Sequence, residues 1–361
     1  MKFKAKLSSK IVVFIIILSV LIVSFMILLN QSNKIVKNRF DQFGAERWMN
    51  NDSLFNYAQI SCFFTSETGF SENNIYSLSR SYDEKMMSES ISSSEGGRLW
   101  LHAYSAKGSV SVDASSNIAT DVTAVAGDFF FIHNVPLITG SYFKDDPLNN
   151  DHILINETLA WQLFGSFDIV GRDIYIYDQP YSISGVTKND GDVIDDSLPH
   201  LYMQYDVYKE LDNLAYISCY EAILPNPISD FALNVVTSLF SFNELEYEIM
   251  QNTSRFNLIN TFKNLINLTE RNIKTNRVIY PQWENQARIT EHKLAYLLLA
   301  QIILIFLFIC TLTIMIIIYR SKISLFFENS SSKIVTKAKN SKFADKIRNK
   351  RRERYEKKKL S

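Results

Sequence analysis

Five histidines, two cysteines outside any apolar run and one cluster of aspartates are the residues of this chain whose types could do chemistry. His102, His133, His152, His200 and His292 are scattered, with neither an H-E-x-x-H pair nor the cysteine spacing that holds a metal. Each therefore reads as an ordinary surface or core histidine. The loop from Asn189-Asp190-Gly191-Asp192 through Asp195-Asp196 has the carboxylate density of a calcium site. It lacks the EF-hand spacing and the closing glutamate, so it reads as a solvated loop. No G-x-x-x-x-G-K-[ST] phosphate loop and no G-x-S-x-G elbow occurs, and scattered serines do not define a triad. No catalytic residue, cofactor or metal is expected, and the chain is not read as an enzyme. Cys62 and Cys219 are read as two buried thiols behaving as small hydrophobes, with a disulfide between them as the alternative.

The elements that must position these residues follow from charge and hydropathy. Among 361 residues, 38 basic and 38 acidic side chains give zero net charge, but the two signs are segregated. Residues 1–10 carry Lys2, Lys4, Lys6 and Lys10, and residues 320–361 carry 15 Lys/Arg against Glu328, Asp345, Glu353 and Glu356. The middle of the chain is correspondingly acidic.

Membranes account for the boundaries. Ile11–Leu29 has no charge and would extend about 28 Å as a helix; Ala295–Tyr319 is also uncharged, at about 37 Å. Both are predicted to span a bilayer. The first is longer than a signal-peptide core and runs on into Asn30-Gln31 without a small-x-small site, so it reads as an uncleaved anchor. Basic flanks stay in the cytoplasm, which predicts cytoplasmic termini (residues 1–10 and the tail 320–361) and an extracytoplasmic domain over residues 30–294.

Within that domain, residues 34–48 and 283–294 are expected to continue the two spans as helical stalks. Residues 55–64 read as a strand, 72–91 as a polar helix and the segment around Leu99, Leu101 and Ala103 as a second strand. The order returns with strand 215–224, an N-cap at Asn226 before Pro227, helix 228–240 and strand 245–250. Between these two split β-α-β halves lies a β-rich insertion. Its clearest part is a hairpin, 174–177 with 181–184, turning at Asp178-Gln179-Pro180. A long amphipathic helix is expected over 254–277, with Phe262, Leu265, Ile266 and Ile273 on one face. The predicted class is thus an α+β extracytoplasmic domain between two transmembrane helices.

The insertion carries AGDFFFIHNVPLITGSYF at 126–143, ILINETLAWQLFG at 153–165, DIVGRDIYI at 168–176 and YSISGV at 181–186. This run resembles the periplasmic core domain of MacB/FtsX-type ABC-transporter permeases. The likeness rests on Asp128, Phe129, Phe130, Gly140, Phe143, Asn156, Glu157, Ala160, Phe164, Gly165, Val170, Gly171, Ile174, Gly185 and Val186, and PHLYMQYDVY at 199–208 looks like the family's following extended segment. All of these read as scaffold: helix starts, apolar faces and turn glycines.

The resemblance implies a permease-like membrane subunit that couples a separate cytoplasmic ABC ATPase to the outer domain by mechanical transmission. Where relatives have four spans, two apolar runs are present here, so the chain is read as a short two-span form. Its expected partners are that ATPase, a full-length permease and a second subunit in a homo- or heterodimer. The alternative is a non-transport receptor or assembly scaffold that uses the same domain as a binding surface. Lys350, Arg351, Arg352, Arg354, Lys357, Lys358 and Lys359 are expected to hold the tail against anionic lipid, with an acidic face of the ATPase as the sharper target and no nucleic acid expected. The sequons at Asn51, Asn156, Asn252 and Asn267 would matter only in a eukaryotic secretory pathway, which the bacterial likeness disfavours.

Overall fold

Apolar and polar residues alternate along YAQISCFF, and in the computed structural model this segment is the strand β1 (Tyr57–Phe64), buried on both faces. The structure describes residues 9–49, 55–92, 97–114, 117–144, 150–189, 198–267 and 277–339, together with Lys350 and Tyr355; side chains are described from residue 11 and, in the last helix, to Arg320. The chain divides into two units at Gln31/Ser32 and Leu298/Leu299.

One unit is helical. It holds most of α1 (Ser9–Lys37) and the later part of α9 (Gln282–Lys339). Both helices are long and apolar enough to cross a membrane. Three of their hydroxyls bond inside the helix: Ser19 donates to the Ile15 carbonyl, Thr311 to Leu307 and Thr313 to Ile309. That is how a polar side chain is accommodated in a medium without water.

The other unit, residues 32–298, is built on a ten-stranded sheet. After β1 come α3 (Glu72–Ser88) and β2 (Leu101–Asp113), with α2 (Gly44–Trp48) preceding them. Near the domain's end come β9 (Cys219–Pro225), α7 (Phe231–Leu239) and β10 (Tyr247–Gln251). β9 lies antiparallel between β1 and β2, and β1 lies antiparallel between β10 and β9, giving the order β10-β1-β9-β2. The two split β-α-β halves therefore interlock as one β-α-β-β-α-β motif.

The insertion extends the same sheet. It contributes β3 (Ile118–Gly127), α4 (Phe129–Ile132), β4 (Leu137–Gly140), β5 (His152–Asn156), α5 (Glu157–Phe164), β6 (Asp173–Ile176), β7 (Gln179–Thr187), β8 (His200–Gln204) and α6 (Tyr205–Leu211). Beyond β2 the order is β3-β8-β5-β7-β4, with β6 bridging β2 and β7.

Strand alternation separates two cores. Ala58, Ile60, Cys62 and Phe64 of β1, with Tyr220, Ala222 and Leu224 of β9, face α3 and α7 through Ile75, Leu78, Tyr82, Ala232, Val235 and Val236. The opposite face, with Phe63, Cys219 and Ile223, packs under Ala45, Phe129, Val278 and Trp283. Cys62 and Cys219 are free, and although their strands are neighbours they point to opposite faces. That orientation rules out the alternative disulfide.

Several expected elements differ from the observed ones. The stalk over 34–48 is not one helix: α1 stops at Lys37, a 3-10 turn covers Phe40–Gln42, and α2 begins at Gly44. Gln59 causes the break, because its side-chain amide holds the Asp41 carbonyl at 2.6 Å and the Gly44 amide at 2.8 Å. A Cβ at Gly44 would stand 2.9 Å from the Gln59 Oε1, so a larger residue here would have to displace that amide. Residues 283–294 lie within α9.

Helix α7 starts later than Asn226-Pro227 suggests, after Asp230 in a left-handed conformation (φ 62°), although the Asn226 side chain still accepts from the Ala232 amide. The hairpin turns at Tyr177-Asp178, both with positive φ, rather than at residues 178–180. Residues 199–208 are extended only through Gln204 and then helical. The helix expected over 254–277 is α8 (Leu258–Ile266), capped by Asn257; Ile273 lies outside the described residues.

Candidate functional site

Three polar residues interrupt the apolar strands on the α9 side of the sheet. Gln59 and Ser61 of β1 and Glu221 of β9 project to that face because strand side chains alternate with period two, and Ser61 lies directly opposite Glu221. Each is almost completely buried. Such groups are costly to desolvate unless paired, so their partners define the site.

Glu221 collects them. Its Oε1 accepts from Ser61 Oγ at 2.6 Å and from Gln59 Nε2 at 3.3 Å, and its Oε2 is held by His133 Nε2. The other ring nitrogen, His133 Nδ1, reaches Asp41 Oδ1 at 3.2 Å. His133 sits just past α4, between the rings of Phe129 (4.5 Å) and Trp283 (4.4 Å). Burial works to lower the His133 pKa, but the adjacent Glu221 and Asp41 outweigh it and raise it to about 9. The imidazole is therefore a cation at neutral pH. A cleft of about 110 Å³ opens beside it, lined by Asp121, Thr123, Asn156 and His200. His200 is opposite in character: burial, aided by Lys107, lowers its pKa to about 4, and its Nε2 shares a 2.9 Å hydrogen bond with the Thr123 hydroxyl.

From Glu221 the polar chain runs the other way. Asn252 Nδ2 donates to Ser61 Oγ at 2.7 Å, and Asn252 Oδ1 accepts from Arg255 Nη1 at 3.1 Å. The Arg255 guanidinium then grips α9. It is bidentate to Glu284 at 2.7 and 2.8 Å and donates from Nε to Glu291 at 2.9 Å. The three side chains are 2%, 1% and 5% exposed, which makes this a fully desolvated charge cluster rather than a surface bridge. Burial opposes the Arg255 charge, and the two carboxylates more than compensate, holding its pKa above the ordinary arginine value. Arg288 adds a further link, donating to Glu284 at 2.6 Å and to Glu248 while lying 3.8 Å over the Tyr280 ring. The segment after α1 joins through Asp41, and through Arg39, which donates to Gln286.

One relay thus connects Asp41, His133, Glu221, Ser61, Asn252 and Arg255 to Glu284 and Glu291. It ties the segment after α1, the insertion, the central strands and α9 together by directional, mostly charge-assisted bonds, which tolerate little sliding. Among the described residues, no group of three or more His, Cys, Asp or Glu side chains is placed to hold a metal.

The residues singled out from the sequence fall into two groups. Phe129 belongs to the relay's wall; Phe130 stacks on Tyr142 and meets Phe143 edge-on, and Asp128 clamps Arg98 with two hydrogen bonds of 2.8 and 2.6 Å. The others form scaffold and make no bond of the relay, although Asn156 also lines the cleft beside His133. Asn156 caps α5 by accepting from the Leu159 amide, Glu157 opens the helix, Ala160 is buried, Phe164 lies under Arg172, and Gly165 ends the helix at φ 61°. Gly140 (φ 83°) packs where a Cβ would meet the Ser184 carbonyl at 2.2 Å, beside Gly185. Val170 is exposed, Gly171 turns at φ 80°, and Ile174 and Val186 are core residues. The aspartates at 190–196 and the tail residues Arg351, Arg352, Arg354, Lys357, Lys358 and Lys359 lie outside the described residues; Lys350 is described only as helical and exposed. Asn156 and Asn252 are buried and hydrogen-bonded, which leaves no room for a glycan on either.

Glu221, Arg255, Glu284 and Glu291 were not among the residues picked out from the sequence. The available signal was a lone glutamate inside CYEAILP and a lone glutamine inside YAQISCFF.

The family pattern described as a MacB-like periplasmic core domain matches residues 9–219, over half of the chain. No curated protein matches. Three solved structures are similar. The extracellular domain of the noncanonic ABC-type transporter YknZ from Gram-positive bacteria is 15% identical, covering 53% of this chain and 99% of its own, with a TM-score of 0.38. The periplasmic region of MacB from Actinobacillus actinomycetemcomitans is 13% identical, covering 56% and 92%, at 0.37. A domain of a putative permease protein from Porphyromonas gingivalis is 16% identical, covering 54% and 88%, at 0.31.

Proposed function

This chain belongs to the family of the MacB-like periplasmic core domain, and from that premise we propose that it is a permease-like membrane subunit through which a separate cytoplasmic ATPase moves an extracytoplasmic domain. The observation that carries this reading is the buried grip of Arg255 on Glu284 and Glu291. A helix that enters the domain through charge-assisted bonds at two points about two turns apart passes its displacement to the sheet, where a solvated linker would absorb it.

In this reading the basic flanks keep both termini in the cytoplasm and residues 30–294 outside it. Dimerisation of the ATPase on binding ATP shifts the spans, and α9, with the segment after α1, carries the shift to the relay. ATP hydrolysis is assigned to the partner because the chain has no phosphate loop. The tail from Lys350 to Lys359 rests on anionic lipid, at about 1 kcal/mol for each basic residue near the surface. A full-length permease or a second copy completes the assembly.

Affinity purification of the full chain from its native membrane in mild detergent tests the proposal. An ATP-binding subunit should co-purify, and its retention should depend on nucleotide. Recovery with a soluble ligand and no ATP-binding subunit would instead support the receptor or scaffold alternative.

A further inference from the structure

Helix α8 is inside out. Leu258, Ile259, Phe262 and Ile266 share one face and are 70%, 66%, 48% and 65% exposed, while Thr261 on the other face is buried and Asn260 and Asn264 are half-buried. A helix of a domain surrounded by water buries its apolar stripe, so this one faces a different medium.

Its attachment identifies that medium. Three residues before α8, Arg255 is clamped to Glu284 and Glu291 of α9, and Glu291 precedes Ala295, where the charge-free run begins, by only four residues. Four residues of helix rise about 6 Å, within the depth of a headgroup layer. Tyr296, 59% exposed, follows Ala295 at the start of the charge-free run, the position in sequence at which aromatic residues are enriched at a bilayer surface. Lys263 is exposed at the edge of the apolar stripe, next to Ile259 and Ile266 in helical spacing, where its amine can reach phosphate while its stem stays among apolar atoms.

We propose that α8 is an interfacial helix, with Leu258, Ile259, Phe262 and Ile266 immersed at the headgroup–acyl boundary of the outer surface of the membrane that α9 crosses. The proposal rests on the membrane reading of α9 and adds a third attachment of the domain to the bilayer, fastened to the relay through Arg255.

The test uses the full chain in phosphatidylcholine–phosphatidylglycerol vesicles, with Cys310→Ser and a single environment-sensitive fluorophore on Phe262→Cys, Glu84→Cys or Ile303→Cys. Buried Cys62 and Cys219 stay unlabelled. A label at 262 should emit to the blue of one at 84, lose intensity to lipid with a nitroxide near the headgroup, and be shielded from iodide. The label at 303 should be quenched by a nitroxide deep in the acyl chains. If 303 is quenched and 262 responds to iodide but not to nitroxide lipid, α8 is in water and the proposal fails while the membrane reading stands. If shielding at 262 vanishes on dilution to one chain per vesicle, a second copy covers the face and the proposal also fails. Loss of quenching at 303 would remove the membrane reading and the proposal together.

Discussion

The His133 imidazolium gives the relay a titration that can be followed directly. Its pKa of about 9 in the folded protein stands above the 6.5 of an unperturbed imidazole, because Glu221 and Asp41 outweigh the burial that opposes its charge. A group whose pKa is raised on folding contributes stability that is complete below its unfolded value. That contribution fades as pH rises and is lost above the folded value. At about 1.4 kcal/mol per pH unit, the gap between the two values is worth about 3 kcal/mol, all of it lost between about pH 6.5 and about pH 9. The perturbation is therefore alkaline pH, and Trp283, whose ring lies 4.4 Å from His133, is the reporter, since a protonated imidazole quenches indole emission. Emission from the full chain in lipid discs, with the signal of Trp283→Phe subtracted, should brighten with a midpoint near pH 9. The melting temperature should fall over the same window, and Glu221→Gln should bring the midpoint down. A midpoint near 6.5, or a melting temperature that rises across this window, would refute the reasoning.

Other consequences follow from the same geometry. Arg255→Met removes the cation that two buried carboxylates share, with Arg288 still donating to Glu284, and should cost about 3 kcal/mol, whereas adding Glu284→Gln and Glu291→Gln should recover much of it; denaturant midpoints of the single and triple variants decide. Gly140→Ala combines a positive φ with a backbone clash against Ser184 and should lower stability by about 2 kcal/mol or more, so an unchanged melting temperature would contradict the assignment. Cys62 and Cys219, buried on opposite faces with pKa values pushed up by burial and by Glu221, should resist maleimide in the native protein. Both should react after unfolding without reductant.

The elements legible in the sequence are those whose cause is local. The apolar runs, the β-α-β halves, the Asn156 cap and the glycines at 140, 165 and 171 each announce themselves within a few residues, because periodicity, capping and positive φ are short-range requirements. The relay was not legible. Ser61 and Glu221 are 160 positions apart, and a single glutamate in an apolar strand has no local signature of its partner. The break after Lys37 was hidden for the same reason, since Gln59, outside the segment, sets it. In α8 the amphipathic pattern was read from the spacing, but the side that meets the protein depended on where Arg255 anchors the preceding turn.

The central claim is that α9 moves the outer domain through the Arg255 anchor. It is tested most directly by inserting Gly-Gly-Ser after His292, between the anchor and the apolar run, and reconstituting the chain with its ATPase. Energy transfer from a donor at Glu84→Cys to acceptor lipid should change with ATP in the uninterrupted chain and stop changing in the insertion variant, with basal ATP hydrolysis retained. An equal ATP-dependent change in both would contradict mechanical transmission through this helix.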